Sequence, residues 1–217
     1  MKNLIRILTL VIVCIIYSNS YSQKDTEFIN KAAQYSQAGD LKSAIIYLTK
    51  AIEVEPNFPD TYYNRAQCYF ELKQYENAIK DFSKSISVDP KYKLVAENYR
   101  NIGSCNMFLK KYSEAIPYFV KFLEYKPNTP EIIYVLAVCY KNADDNENAI
   151  KYYSKSIDNN YRTDYSYYYR GYIYYDLKMY DEAYSDFQKA IKLNSDLEDR
   201  QLMSIMESLY AYIKTRK

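Results

Sequence analysis

The sequence predicts an all-α fold, a solenoid of five helical hairpins followed by one last helix. Small residues recur at a nearly constant interval, and apolar residues lie three, four and seven positions from them, which is the spacing of one helix face. Glycine and proline are scarce, with 3 and 6 among 217 residues, so the chain offers few turns for a β-sandwich or barrel.

The repeat is clearest at five alanines, which are separated by 34, 37, 34 and 34 residues: Ala44, Ala78, Ala115, Ala149 and Ala183. Four residues after each alanine comes a large side chain: Leu48, Phe82, Phe119, Tyr153 and Phe187. Twelve residues before each comes a second small residue: Ala32, Ala66, Gly103, Ala137 and Gly171. Each unit therefore predicts two antiparallel helices in close approach, which must stack on neighbouring units to bury their apolar stripes.

Composition excludes several classes of function. The chain has no histidine, so it cannot form a catalytic Ser-His-Asp or Cys-His arrangement or a histidine-ligated metal site. It also lacks a glycine-rich phosphate-binding loop. We expect a protein that is not an enzyme and binds no cofactor and no metal.

The first 22 residues have the pattern of an export signal. Lys2 and Arg6 precede an apolar run over residues 7–17, and a small-polar stretch ends at Ser22. We expect cleavage after Ser22, with an uncleaved anchor or lipidation at Cys14 as the alternatives. Removal of 1–22 lowers the formal net charge from +2 to zero, so the charge gives no reason to expect nucleic-acid binding.

The repeat resembles the tetratricopeptide repeat family, of an exported bacterial type. The resemblance is clearest in the run from Tyr62 through Ala66 and Tyr69 to Tyr75, which continues to Ala78, Phe82, Ser85 and Pro90. It implies a right-handed solenoid with five repeats over 23–197 and a capping helix over 198–217. We place the repeats at about 25–58, 59–92, 96–129, 130–163 and 164–197.

Several local features depart from the repeat. Three residues around Lys93-Leu-Val95 are inserted before the third repeat and predict a longer loop or helix start. Pro117 falls early in the second helix of that repeat, where it is tolerated in the first turn but kinks a helix if deeper. The fourth repeat ends at Tyr161 without proline. Ser195-Asp-Leu-Glu198 has the pattern of a capping box that opens the last helix.

Cysteines and acidic clusters are expected to be structural. Cys68, Cys105 and Cys139 occupy equivalent repeat positions, which stacking separates by about 8–10 Å, so we expect them in the core rather than in disulfides. The acidic clusters at Asp144-Asp145 and Asp181-Glu182 lie at helix starts, where acids stabilise the N-terminus.

By resemblance, the first helix of each repeat lines a concave groove, and the positions that face it are mainly aromatic here. Tyrosine combines apolar area, few rotatable bonds and a polar tip, which favours peptide recognition. The alternative is that neighbouring residues cover this face. The expected groove residues are Tyr63, Asn64, Phe70, Asn101, Met107, Tyr134, Tyr165, Tyr168, Tyr172 and Tyr175.

Two sets of positions on the first helices indicate which kind of peptide to expect as a ligand. Asn30, Asn64 and Asn101 recur at the position whose amide contacts a bound peptide backbone in related proteins. The family's basic clamp for a terminal carboxylate is missing, because Ile29 and Ala33 occupy its first-repeat positions.

These observations predict an exported interaction module or scaffold, located in the periplasm, on the envelope or outside the cell. It binds a protein or peptide partner and no nucleic acid, and it associates with a membrane only through an uncleaved signal or a partner. The alternative is a structural or assembly subunit of a membrane-associated envelope complex.

Overall fold

The computed structural model describes residues 26–216, and helices occupy most of that range. The predicted export signal over 1–22 lies outside the described residues. Between residues 26 and 216, no helix has both the length and the apolarity needed to cross a membrane. The chain forms two compact units, Met1–Leu109 and Lys110–Lys217, and their border falls between the two helices of the third repeat.

The first unit contains five described helices. They are α1 (26–37), α2 (Leu41–Val54), α3 (Pro59–Glu71), α4 (Tyr75–Val88) and α5 (Val95–Phe108). Helices adjacent in sequence pack on one another from α2 to α5. The unit thus holds two complete hairpins and the first helix of a third.

The second unit continues the pattern through six described α-helices. They are α6 (Tyr112–Tyr125), α7 (Pro130–Asn142), α8 (Asn146–Asp158), α9 (Thr163–Asp176), α10 (Tyr180–Leu193) and α11 (Arg200–Lys214). Helices adjacent in sequence pack together from α6 to α11. The described residues form helices and no strands, so the predicted all-α class is confirmed.

The small and large positions of the repeat form the core, as predicted. All five alanines of the series that begins with Ala44 are fully buried, and so are Phe82, Phe119, Tyr153 and Phe187. Gly171 shows why the facing position must be small, because a Cβ atom built there would lie 2.8 Å from two ring carbons of Phe187. Close approach of the paired helices is therefore the feature that selects small residues.

Helix starts are stabilised by acids and prolines. Asp40 and Asp145 cap α2 and α8, and each carboxylate accepts a hydrogen bond of 3.1 Å from a backbone N–H three residues on. Asp181 and Glu182 lie in the first turn of α10, which confirms the structural interpretation of the acidic clusters. Pro59 and Pro130 begin α3 and α7. Proline costs no hydrogen bond at this position, because the first backbone N–H of a helix has no acceptor within the helix.

The turn inside each hairpin uses a left-handed residue at the same repeat position. The φ angles are 79° at Gly39, 59° at Lys73 and Lys110, 58° at Asp144 and 62° at Lys178. Only the first of these is glycine, so the turn accepts a modest strain at the other four positions. The hydrogen bonds that close the helix end hold this geometry, such as the 2.8 Å bond from Gln74 N to Tyr69 O.

The three-residue insertion lengthens the loop between α4 and α5. Tyr92 in this loop is buried, and its hydroxyl donates a 2.7 Å hydrogen bond to the Asp60 carboxylate on α3. Burial and this bond raise the pKa of the Tyr92 hydroxyl. The loop is thereby fixed against the second repeat.

The missing proline of the fourth repeat is replaced by another turn. Asn160 and Arg162 adopt left-handed conformations with φ of 53° and 46°. The buried Ser156 hydroxyl donates a 2.6 Å hydrogen bond to the Tyr161 carbonyl oxygen, which closes the turn. In the third repeat, Pro117 is an exposed residue in the second turn of α6, and that helix runs from Tyr112 to Tyr125.

The predicted capping box at Ser195-Asp-Leu-Glu198 is wrong. Residues Ser195–Leu197 form a short 3-10 turn, and α11 begins only at Arg200. Its N-cap is Asp199, whose carboxylate accepts a 2.8 Å bond from Leu202 N. Asn194 accounts for the shift, because its amide accepts from Asp196 N and donates to Asp164 on α9.

The last helix presents an apolar stripe to the fifth repeat. Leu202 and Leu209 are buried against the α9–α10 hairpin, and Ile205 packs beside them. The helix therefore covers the apolar face that the fifth repeat would otherwise expose.

Candidate functional site

The expected groove residues divide between the two units. Tyr63, Asn64, Phe70, Asn101 and Met107 lie in the first unit. Tyr134, Tyr165, Tyr168, Tyr172 and Tyr175 lie in the second. We call the surface formed by the first helices of the repeats within one unit its first-helix face.

A cleft of about 270 Å³ lies between α1 and α3 on the first-helix face of the first unit. Its floor is formed by the buried residues Ala32, Leu48 and Cys68, with the half-buried Ile29 and the exposed Ala33 beside them. Its rim is polar and comprises Ser36, Gln37, Asn64, Gln67 and Glu71. The cleft has room for one or two amino-acid side chains, whereas a whole drug-sized molecule needs more space.

Asn64 is the expected groove residue that lines this cleft, and its side chain is exposed. Ile29 and Ala33, at the positions where related proteins hold the clamp, line the same cleft. Because neither carries a charge, this part of the site offers no counter-ion to a terminal carboxylate.

Tyr63 and Phe70 lie in ring contacts beside the cleft. The ring of Tyr63 meets those of Phe82 and Tyr92 edge-on, with centroids 5.7 and 6.4 Å away. Phe70 packs on Phe108 at 5.7 Å and makes a similar contact with Tyr75. Both residues are half-buried, so part of each ring stays open to a ligand.

Asn101 differs from Asn64 in environment. Its side chain is buried, and its amide nitrogen makes no hydrogen bond within residues 26–216. Met107, one helical turn and a half further along α5, is half-buried. The recurrence of asparagine in the sequence therefore does not give the two amides the same accessibility.

Tyrosine rings from α7, α8 and α9 form a continuous cluster that reaches the first-helix face of the second unit. Tyr134 meets Tyr153 at 6.0 Å, and Tyr153 stacks on Tyr169 at 6.0 Å. Tyr169 contacts Tyr165 and Tyr168, at 6.3 and 5.3 Å. The expected groove residues of α9 are half-buried.

The cluster continues through Tyr168 to Tyr172 at 4.9 Å, and from Tyr172 to the buried Phe187 at 5.0 Å. Burial raises the pKa of Tyr134 to about 12, and it raises that of Tyr172 as well. These hydroxyls therefore stay neutral at physiological pH, where they can donate and accept hydrogen bonds. Tyr175 lies apart from them, in a 6.0 Å contact with Tyr180.

Tyr153 is the fully buried member of this cluster, and its hydroxyl has no hydrogen-bond partner within residues 26–216. Phe82, Phe119 and Phe187 occupy the same repeat position without a hydroxyl. We expect Tyr153→Phe to raise the free energy of unfolding by about 1 kcal/mol, because it removes an unsatisfied buried polar group. Urea unfolding followed by circular dichroism measures the change, and a loss of stability would show that the hydroxyl has a partner.

Two buried charge clusters were not predicted from the sequence. Arg65 forms a two-pronged ion pair with Asp81, at 2.6 and 2.8 Å, and donates a 3.0 Å bond to the Thr49 hydroxyl of the preceding repeat. Arg170 does the same with Asp186, at 2.7 and 3.0 Å, and with Ser154, at 2.6 Å. In both clusters the hydroxyl residue lies 16 residues before the arginine and the aspartate lies 16 residues after it. This shared spacing was the sequence pattern that could have predicted them.

These clusters are structural, because the side chains of Asp81 and Asp186 are buried and each guanidinium lies between two tyrosine rings. Each arginine joins its own hairpin to the one before it. Where the pair is absent, as in the first and fourth repeats, two tyrosines stack instead: Tyr35 with Tyr47 at 5.4 Å and Tyr140 with Tyr152 at 5.3 Å.

Cys68, Cys105 and Cys139 lie in the core, as predicted, and are free. Burial raises the pKa of the Cys105 and Cys139 thiols to about 12, so neither is a nucleophile at neutral pH. Over residues 26–216, no three acidic or cysteine side chains come together as a metal site.

Comparison with known sequences places the repeats in one family. Two sequence profiles, both described as "Tetratricopeptide repeat", match the chain, one at 59–92 and 165–197 and the other at 28–58, 96–129 and 130–162. The chain belongs to the tetratricopeptide repeat family. The matched segments cover most of the sequence, so the family membership describes the whole array rather than one hairpin.

Curated relatives match only parts of this tetratricopeptide repeat protein. A DnaJ homolog subfamily C member 7 homolog from Dictyostelium discoideum is 34% identical over 64 residues, which are 30% of this chain and 12% of the relative. Hsp70-Hsp90 organizing protein 2 from Arabidopsis thaliana is 34% identical over 90 residues, 42% of this chain and 15% of that protein. The chain thus spans less than a fifth of the length of these relatives.

Solved structures share the tetratricopeptide fold. MamA superimposes with a TM-score of 0.69 at 23% identity, over 79% of this chain and 92% of that one. YrrB, described as a TPR protein with an unusual peptide-binding site, gives 0.68 at 20% identity, over 81% and 87%. The first TPR of Spaghetti (RPAP3), bound to the HSP90 peptide SRMEEVD, gives 0.51 at 28% identity, over 57% and 95%.

Proposed function

We propose that this protein is a non-catalytic interaction module that binds an extended segment of a partner protein on its first-helix faces. The cleft between α1 and α3 carries the proposal, because it offers a side-chain-sized recess beside an exposed asparagine amide. Tetratricopeptide repeat proteins with solved structures include peptide-binding ones, among them YrrB and RPAP3 by their descriptions.

The tyrosine cluster of the second unit supports the same function. Tyr165, Tyr168 and Tyr172 are half-buried, and ring contacts with neighbouring tyrosines restrict their rotamers. A ligand that packs on such rings needs to order few side chains, which lowers the entropic cost of binding. Their hydroxyls add hydrogen-bonding groups for a peptide backbone.

The setting that we propose is the cell envelope or the outside of the cell. This rests on the pattern of residues 1–22, where a basic start, an apolar run and a small-polar end follow one another. Cell fractionation together with N-terminal sequencing of the purified protein tests the proposal. A protein that begins at Gln23 in an envelope or extracellular fraction supports it, and an intact N-terminus in the cytosol contradicts it.

A structural or assembly subunit is the second candidate, favoured by apolar exposure at the C-terminal end. Leu177, Met179, Tyr210 and Tyr212 are all exposed there, and Tyr212 packs on Tyr180 at 4.9 Å. Permanent packing into a complex would cover this patch. Size-exclusion chromatography with light scattering separates the candidates, since a monodisperse monomer favours a module with transient partners.

The tyrosine face can be tested by a pull-down from an envelope extract. We expect Tyr168→Ala combined with Tyr172→Ala to reduce capture of the partner at least about tenfold, because aromatic anchors dominate such interfaces. The matched control is Tyr125→Ala, which removes an exposed tyrosine from α6 instead. Thermal melts verify that both variants fold, and undiminished capture by the double variant would contradict the role of this face.

A further inference from the structure

We infer that the cleft between α1 and α3 binds a lysine or arginine side chain, so that the ligand of this face is a basic peptide segment. The inference rests on the proposed function, because it names the ligand class of the same surface. It depends on the shape of the cleft, on its one charged residue and on the arrangement of the basic residues around it.

The cleft combines an apolar floor with an acceptor-rich rim. Ala32, Leu48 and Cys68 offer no hydrogen-bonding side chain apart from the weak thiol, so the floor suits an aliphatic chain. At the rim, Gln67 Nε2 already donates a 2.9 Å bond to the Tyr63 hydroxyl. The side-chain carbonyl oxygen of Gln67 and the Glu71 carboxylate therefore remain as hydrogen-bond acceptors for a ligand.

Glu71 is the one charged residue in the lining. It is exposed and forms no ion pair within residues 26–216. An unpaired carboxylate beside an apolar recess attracts a cationic group and repels a terminal carboxylate.

The basic residues of α1 and α3 do not neutralise this acid. Lys31 is the basic residue in the described part of α1, and its Nζ atom bonds Glu27 at 2.6 Å and lies over the ring of Tyr47. Arg65 is the basic residue of α3, and it is held by Asp81 and Thr49. Both cations are directed to other partners, and neither of them lines the cleft.

A lysine or arginine side chain matches both parts of the cleft at once. Its methylene stem packs on apolar surface while its charged head stays at a polar edge. With the stem against Ala33 and Leu48, the head reaches the rim that contains Gln67 and Glu71. The exposed amide of Asn64 is then available to the backbone of the bound segment.

The test is a selection from a peptide library with the full chain immobilised. The probe is an octapeptide mixture with acetylated and amidated ends and all residues except cysteine in equal proportion. We expect the retained peptides to be enriched in lysine and arginine. Replacing that residue by norleucine, which keeps the stem without the charge, should weaken binding by roughly twofold to fivefold, as for an exposed ion pair.

Variants at the cleft decide between charge and shape. Glu71→Lys should shift the selected peptides toward aspartate and glutamate. Glu53→Lys reverses the charge of an exposed residue on α2 and should leave the selected peptides enriched in lysine and arginine. Ala33→Phe fills the recess from an exposed helix position and should abolish retention. Circular dichroism verifies that each variant keeps its helices.

The outcomes separate this inference from the proposed function. If Ala33→Phe abolishes retention but Glu71→Lys selects the same peptides as the original chain, the basic ligand class is wrong while the face still binds peptides. If Ala33→Phe retains peptides normally, the cleft is not their site and the inference is overturned. If nothing is retained although the pull-down still captures a partner, the inference fails alone.

Discussion

Asp186→Ala should lower the free energy of unfolding by about 3–5 kcal/mol, because it leaves the Arg170 guanidinium buried without its counter-ion. The pair is well shielded, with 15% of the Arg170 side chain and 4% of the Asp186 side chain exposed. Tyr167 and Tyr174 flank the guanidinium at 5.4 and 5.7 Å, which restricts its escape to water. Urea unfolding followed by circular dichroism measures the loss.

The control for this prediction copies the fourth repeat, which has Leu136 and Tyr152 in place of the pair. Arg170→Leu combined with Asp186→Tyr removes both charges and lets the new tyrosine stack on Tyr174, as Tyr152 stacks on Tyr140. Ser154 loses a donor but keeps its own 2.7 Å bond to the Ile150 carbonyl oxygen.

We expect this double variant to stay within about 1 kcal/mol of the original chain, since apolar replacements of a buried ion pair are often neutral. A double variant as unstable as Asp186→Ala would show that the pair itself, rather than the unpaired charge, provides the stability. Asp81→Ala should reproduce the effect in the first unit, where Arg65 makes the same contacts.

Phe187→Ala should cost about 3–5 kcal/mol, because it empties a fully buried ring position in the second unit. The ring packs on Tyr172 at 5.0 Å and belongs to the cluster that contains Ala183, Leu202 and Leu209. Removal of the ring therefore weakens the packing within the α9–α10 hairpin and the packing of α11 against it. The same unfolding experiment measures this change.

Gly171 provides the partner for a double-mutant cycle. Gly171→Leu alone should destabilise the chain by about 1–3 kcal/mol or more, because even its Cβ atom would lie 2.8 Å from the Phe187 ring. Combined with Phe187→Ala, the leucine enters the vacated space and the two losses should no longer add. If the losses of the two single variants simply add in the double variant, the two side chains do not compete for the same space.

The helical hairpins were predictable from the spacing of residues along the chain. Ala44 and its equivalents are buried because their interval puts them on the face where two helices meet, and that interval is visible in the chain itself. The caps at Asp40 and Asp145 are equally local, since each carboxylate bonds a backbone N–H three residues away. Local geometry sufficed in both cases.

The start of the last helix shows where local patterns fail. Ser195-Asp-Leu-Glu198 has the residues of a capping box, yet Asp199 caps the helix. The deciding contact is the 2.9 Å bond between Asn194 and Asp164, which lie 30 residues apart. No spacing rule for a single helix contains such a contact.

The candidate site was partly predictable as well. Resemblance named the first-helix positions, and the structure places Asn64 in a cleft, Asn101 in the interior and the α9 tyrosines in a shared ring cluster. Whether these residues bind a ligand remains a prediction. Accessibility depends on which neighbours cover each position, and the repeat register does not specify that.

The sequence by itself determined the family, the number of repeats and the small and large positions of the core, because helix periodicity and close packing act at fixed intervals along the chain. Only the tertiary structure decided how Arg65 and Arg170 join neighbouring hairpins and how a cleft with Glu71 as its one charge forms between α1 and α3. These features join residues of different repeats, and their energies depend on burial and direction, which appear only when the hairpins stack.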